Sequence, residues 1–127
     1  MLTTTKATTI LPVTDPERAS RFYRDQLGLR SQGVGSGGTL MFDLGQGDAL
    51  GLMPAEEGAQ TGHTVLSFEV PNIEAEIAEL EGKGVRFEDY DLPDLKTVDH
   101  ICVLDSEKAA WFHDSEGNVL CLHQVTG

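Results

Sequence analysis

Apolar positions along this chain follow two different periods. From Ala19 through Phe22 and Tyr23 to Leu27 they recur at i, i+3, i+4 and i+8, and from Ile73 through Ile77 to Leu80 at i, i+4 and i+7. Either spacing lays one apolar stripe along a helix, suited to packing on a sheet. The first helix is predicted to open with Asp15 as its cap and Pro16 in its first turn, and to end at Gly28. Asn72 is placed to cap the second, and Gly82 and Gly84 to stop it. Short apolar runs bounded by Gly, Asp, Ser or Pro predict strands at 9–13, 39–44, 49–53, 64–70, 109–113 and 119–124. The stretches that follow the two helices, 29–34 and 85–90, fit two more.

These elements repeat. Val13-Thr14-Asp15 aligns with Val70-Pro71-Asn72 ahead of each helix, and Leu27-Gly28-Leu29 with Lys83-Gly84-Val85 behind it. Gly47-Asp48-Ala49-Leu50-Gly51-Leu52 aligns with Gly117-Asn118-Val119-Leu120-Cys121-Leu122. A self-similar chain fixes its architecture through the repeat. The expected fold is therefore α+β: two βαβββ modules, about 6–57 and 62–125, in a single domain spanning 1–127, with an extra loop around 91–107. Each module is a small curved sheet with one covering helix. Side by side, two such modules are expected to close a curved mixed sheet around a cleft, the kind of place where ligands bind.

Composition narrows the partners. The 127 residues carry a formal net charge of −12, which argues against a nucleic-acid backbone or an anionic membrane. A solvated acidic surface accounts for it without specifying a cationic ligand. No apolar segment follows a basic start, and no run approaches the roughly 18 apolar residues of a membrane span. Two cysteines, Cys102 and Cys121, do not make a disulfide framework. A cytoplasmic location with reduced thiols is the expectation.

The segments Val13-Thr14-Asp15, Phe22-Tyr23-Arg24-Asp25-Gln26-Leu27-Gly28-Leu29, Phe68-Glu69-Val70, Leu80 to Val85 and Trp111-Phe112-His113-Asp114-Ser115-Glu116-Gly117-Asn118 carry a further likeness. In this pattern the chain resembles the glyoxalase/bleomycin resistance protein/dioxygenase (vicinal oxygen chelate) superfamily from about Lys6 to Gln124. Taken singly, those residues have structural uses: helix anchors at Phe22 and Tyr23, a hairpin turn at 114–118. The resemblance implies a homodimer. In metal-dependent members it also implies four strand-borne ligands, usually His, Gln or Glu. The matching positions here are Thr8, Gly51, Val65 and Cys121. Valine and glycine offer no side-chain donor, threonine is a poor one, and one cysteine does not hold an ion. No metal and no cofactor are expected.

Neighbouring residues offer substitutes. His63 stands two residues before Val65 and His123 two after Cys121, so alternation puts each on its neighbour's strand face. A Cys121/His63/His123 cluster is the non-standard metal site this allows. The Gly33–Gly38 run lacks the Lys-Ser/Thr and helix of a phosphate loop and fits a hairpin. Arg18, Arg21 and Arg24 form a stripe that fits a solvated helix face. Glu74, Glu76, Glu79 and Glu81 spread around a helix instead of converging, and no spacing marks a nucleophile elbow. The expected cleft residues are Thr8, Gly51, His63, Val65, Cys121 and His123, with Gly51 leaving space.

Two functions of different class follow from the resemblance. The first is metal-free binding of a small, partly apolar or aromatic molecule, as in bleomycin sequestration. The alternative is a glyoxalase- or dioxygenase-like metal-dependent lyase or oxidoreductase with non-standard ligands. Without metal, an enzyme would rely on His63, His123 or Cys121 for proton transfer. A purely structural interaction module has no positive feature behind it.

Overall fold

Asp15 opens the first helix as its sequence position predicts: its side chain accepts a hydrogen bond from the Arg18 amide at 3.2 Å, with Pro16 in the first turn. In the computed structural model, which describes residues 2–127, β1 (Thr8–Val13) leads into α1 (Pro16–Arg21). The helix continues as a wider π-type turn over Phe22–Gln26, where the Leu27 amide donates to the Phe22 carbonyl. That turn brings both Phe22 and Tyr23 into the core, their rings edge to face at 5.3 Å. Gly28 then takes φ 74°, a left-handed conformation that costs glycine little. The unit is completed by β2 (Arg30–Val34), β3 (Leu40–Gly45) and β4 (Asp48–Pro54), in the order β1-β4-β3-β2.

Strands β1 and β4 are parallel, and the others run antiparallel. The parallel pairing needs a crossover, which α1 supplies. Leu11, Val13, Phe42, Leu50 and Leu52 are buried, and Tyr23 of the helical segment stands 6.1 Å from the Phe42 ring. By alternation Ile10, Met41, Gly51 and Met53 belong to the opposite face, where Ile10 and Met53 keep 46% and 45% of their surface exposed.

The second unit repeats the plan with one interruption. Here β5 (Thr64–Glu69), β10 (Val119–Val125), β9 (Glu107–His113) and β8 (Cys102–Val103) lie in that order, with β5 parallel to β10. Helix α2 (Ile73–Gly82) is capped by the Asn72 side chain and buries Ile73, Ile77 and Leu80, as its periodicity predicts. Gly82 is its last residue, and the left-handed Gly84 (φ 91°) turns the chain away.

The strand expected at 85–90 does not form. Phe87 makes an isolated bridge to Phe112, and the Glu88 amide bonds the Trp111 carbonyl. The chain then leaves the β9 edge for a small hairpin, β6 (Asp91–Leu92) with β7 (Leu95–Lys96), and rejoins it at Cys102. Asp99 and His100 sit at positive φ within this excursion. The extra loop thus divides the edge strand, an outcome that an apolar run alone does not reveal.

Residues 2–61 with Ser115–Asn118 make one compact unit, and 62–114 with 119–127 the other. The turn 115–118 therefore belongs to the first unit, although its flanking strands belong to the second. Its residues show why. Glu116, with a fully buried side chain, accepts from the Thr14 and Asp15 amides at 3.0 and 2.8 Å and binds Arg18 through both carboxylate oxygens. Asn118, 1% exposed, donates to the Pro12 carbonyl at 2.9 Å. Among the described residues no helix is long and apolar enough to cross a membrane.

Burial pushes the Glu116 carboxyl up, but bonds from Arg18, the Asp15 amide and Ser115 outweigh it and bring the pKa to about 2, from an ordinary 4.5. A depressed folded-state pKa contributes stability above about 4.5, lost as pH falls through about 2. Glu116→Gln should cost about 2 kcal/mol at neutral pH, the scale of a hydrogen bond to a charged group. Urea melts at pH 7 and near pH 2 check this: the gap between wild type and variant should narrow in acid.

Candidate functional site

One face of the second sheet carries side-chain bonds that no strand ladder requires. Register sets Cys121 opposite Ser67 and His123 opposite Glu69, while Cys121 also faces Trp111 on the other side. All five share the face away from Leu120 and Leu122, which are buried with Phe112 and Ala110. A bulge at Val65, between the pairs Thr64–Val119 and Leu66–Leu120, resets the alternation at the head of β5. Beyond the bulge the Thr64 hydroxyl accepts from Trp111 Nε1 at 3.2 Å. Tyr90 closes edge-on to Trp111 at 5.7 Å. Burial, with Glu88 adding, pushes its phenol up.

The polar part of this face is a chain of contacts. Ser67 Oγ and His123 Nδ1 are 2.6 Å apart, and His123 Nε2 lies 3.6 Å from Glu69 Oε1. Ser67 and Glu69 are exposed, whereas the His123 side chain keeps 24% of its surface. Cys121 is 6% exposed and its thiol donates to the Leu122 carbonyl at 3.2 Å. Burial pushes that thiol up, against smaller opposing bonds with Ser67 and the Ala110 backbone. A thiol so placed is a poor thiolate source and packs as a small hydrophobe. Cys102 is likewise buried, and both cysteines are free thiols.

The other expected residues divide by unit. Thr8 begins β1, exposed, opposite Ala49. Gly51 lies on the same face, opposite Ile10 and Met41. The space expected beside it is already filled. A Cβ there would fall 2.8 Å from Ile10 Cδ1 and 3.0 Å from Thr39 Cγ2. Val65 sits in the β5 bulge. His63 is exposed in the bend before β5 and is not a strand residue, so alternation does not govern it. Among the described residues no three His, Cys, Asp or Glu side chains gather as a metal site would need. The donor positions implied by the family pattern, Thr8, Gly51, Val65 and Cys121, therefore do not fit a divalent ion.

His100 lies between Glu81 and Asp89 at 3.3 and 3.0 Å. It borders a shallow cavity of about 330 Å³ with Glu74, Ile77, Asp99 and Ile101. Of the arginine stripe, Arg18 is engaged by Glu116 and Arg24 by Asp25. The sequence reading missed Ser67 and Glu69. Extending the i, i+2 rule from Val65 along β5 reaches both, so the signal was present.

The family model described as the glyoxalase/bleomycin resistance protein/dioxygenase superfamily matches residues 6–122. The chain belongs to this superfamily. Solved structures share the fold at low identity. One is TnmS3, an antibiotic binding protein from Streptomyces sp. CB03234, at 22% identity over 99% of both chains with a TM-score of 0.72. Another is a putative glyoxalase family protein from Bacillus anthracis, 17% identical over 95% of this chain and 93% of that one, TM-score 0.71. The fosfomycin resistance protein FosX from Mesorhizobium loti is 17% identical, covering 97% and 90%, TM-score 0.61. No curated protein matches the sequence.

The crowding at Gly51 gives a direct test of this superfamily face. Gly51→Ala should destabilise by about 1 kcal/mol, the low end of overpacking, because the nearest atom is a flexible side-chain tip. Ile10→Val, which removes that tip, should recover part of the loss when combined with it. Denaturant melts of the two single variants and the double variant check the coupling.

Proposed function

We propose that this chain binds a small, partly apolar or aromatic molecule on the helix-free faces of its sheets, without a resident divalent metal. The faces concerned carry Thr8 and Gly51 in the first unit and Val65, Cys121 and His123 in the second, with His63 leading into β5. The observation that carries this reading is the donor set. At the four positions where metal-dependent relatives place ligands, this chain has a hydroxyl, no side chain, an aliphatic group and a buried thiol. Binding needs apolar walls and a few placed polar groups instead. Trp111 and Tyr90 supply aromatic surface, and Thr64, Ser67 and His123 the polar contacts.

The antibiotic-binding activity in the description of TnmS3, and the bleomycin-resistance family to which another Streptomyces neighbour is assigned, support a ligand of this class. In this reading the chain works as a homodimer in a reducing cytoplasm, with residues 1–127 as one domain and neither nucleic acid nor membrane as partner.

Purified protein incubated with Zn²⁺, Ni²⁺, Fe²⁺ or Mn²⁺ and desalted should retain far less than one metal per chain by elemental mass spectrometry. Near-stoichiometric metal that disappears in Cys121→Ala or His63→Ala would overturn the reading. For a ligand found by thermal-shift screening of aromatic antibiotics, Cys121→Phe should weaken binding about tenfold or more, roughly 1.4 kcal/mol. Unchanged affinity in a variant that melts normally would refute the face assignment.

A further inference from the structure

Ser67, His123 and Glu69 stand in the order of a nucleophile, its base and the carboxylate that orients the base. Parallel register places them so: Glu69 is opposite His123, and Ser67 is opposite Cys121, two residues back on both strands. The hydroxyl and the imidazole are in short contact at 2.6 Å, and the carboxylate lies within ion-pair reach of the other ring nitrogen. In the tautomer that carries its proton on Nε2, the nitrogen 3.6 Å from Glu69, Nδ1 is left to accept the Ser67 proton. Ser67 is exposed and so open to a reagent. The neighbouring thiol, buried and pushed up, does not compete as a nucleophile.

We propose that Ser67 is an acyl-accepting nucleophile activated by His123, giving the chain a carboxylic-ester hydrolase activity. In the first step the Ser67 hydroxyl proton passes to His123 Nδ1 while Oγ bonds to the ester carbonyl carbon. The carbon–alkoxy bond then breaks, and the alcohol leaves with the proton from His123. In the second step His123 takes a proton from water, whose oxygen attacks the acyl-serine. The serine oxygen recovers that proton, and the carboxylic acid is released. Ester and water give acid and alcohol, with no redox partner and no metal. The positioned base is worth about 10²–10⁴-fold, so a slow esterase is expected. The activity goes beyond the binding reading and does not rest on it, since a minimal ester needs no cognate ligand.

The full chain is mixed with p-nitrophenyl acetate, and the acetylated protein is mapped by peptide mass spectrometry. The expected result is a burst of nitrophenolate approaching one per chain, with the acetyl group on Ser67, and modification of Ser67 by phenylmethylsulfonyl fluoride. His123→Gln should lower the acylation rate by at least about 100-fold, and Ser67→Ala, a small change at an exposed site, should abolish the burst with unchanged melting. Acetyl groups found on lysines or Cys121 with Ser67 unmodified would overturn the proposal. So would a burst that survives Ser67→Ala, or equal acylation rates in wild type and a folded His123→Gln variant. Failure here leaves ligand binding on the same face intact, whereas stoichiometric metal would overturn the binding reading alone.

Discussion

Among the described residues each four-stranded sheet has one α-helix to cover it, and that shortage of cover governs the rest of the molecule. The parallel pairs β1–β4 and β5–β10 each require a crossover, and the crossover helix lies on one face. Alternation then separates the residues of every strand. Leu11, Leu50 and Leu52 in the first unit, and Phe112, Leu120 and Leu122 in the second, are buried as core. The residues between them, Ile10, Gly51 and Met53, or Ser67, Trp111, Cys121 and His123, are left for something other than a helix. The candidate chemistry is confined to these positions because the core positions are already committed.

Much of this was legible in the sequence because it depends on local periodicity. Asp15 and Asn72 cap their helices through their own side chains, as short polar residues before an apolar stripe should. The repeat of Leu50-Gly51-Leu52 in Leu120-Cys121-Leu122 identified equivalent strands, and those strands occupy equivalent places, β4 and β10, in the two sheets. What sequence did not disclose depends on contacts between distant residues. Glu116 and Asn118 read as ordinary turn residues, yet their partners Thr14, Asp15, Arg18 and Pro12 lie about a hundred positions away. The strand expected at 85–90 was lost because an inserted hairpin draws the chain off the β9 edge. At Gly51, Ile10 and Thr39 fill the room that a missing side chain seemed to leave.

The same positions underlie the proposal that this chain works without a resident divalent metal. An aliphatic group at Val65 and a buried, hard-to-ionise thiol at Cys121 remove the donors that a divalent ion requires. Two residues beyond these positions, Ser67 and His123 put a hydroxyl and an imidazole in direct contact instead. In the proposed reading, a ligand beside Trp111 and Tyr90 would meet a hydroxyl and an imidazole.

Amide chemical-shift mapping during titration with small aromatic fragments such as indole, with a metal chelator present throughout, tests the central claim most directly. The account predicts the largest shifts on the helix-free faces, at Ile10, Gly51, Ser67, Cys121 and His123, unchanged by removal of metal. Shifts confined to α1, α2 or the loop from Val103 to Glu107, or binding that the chelator abolishes, would contradict it.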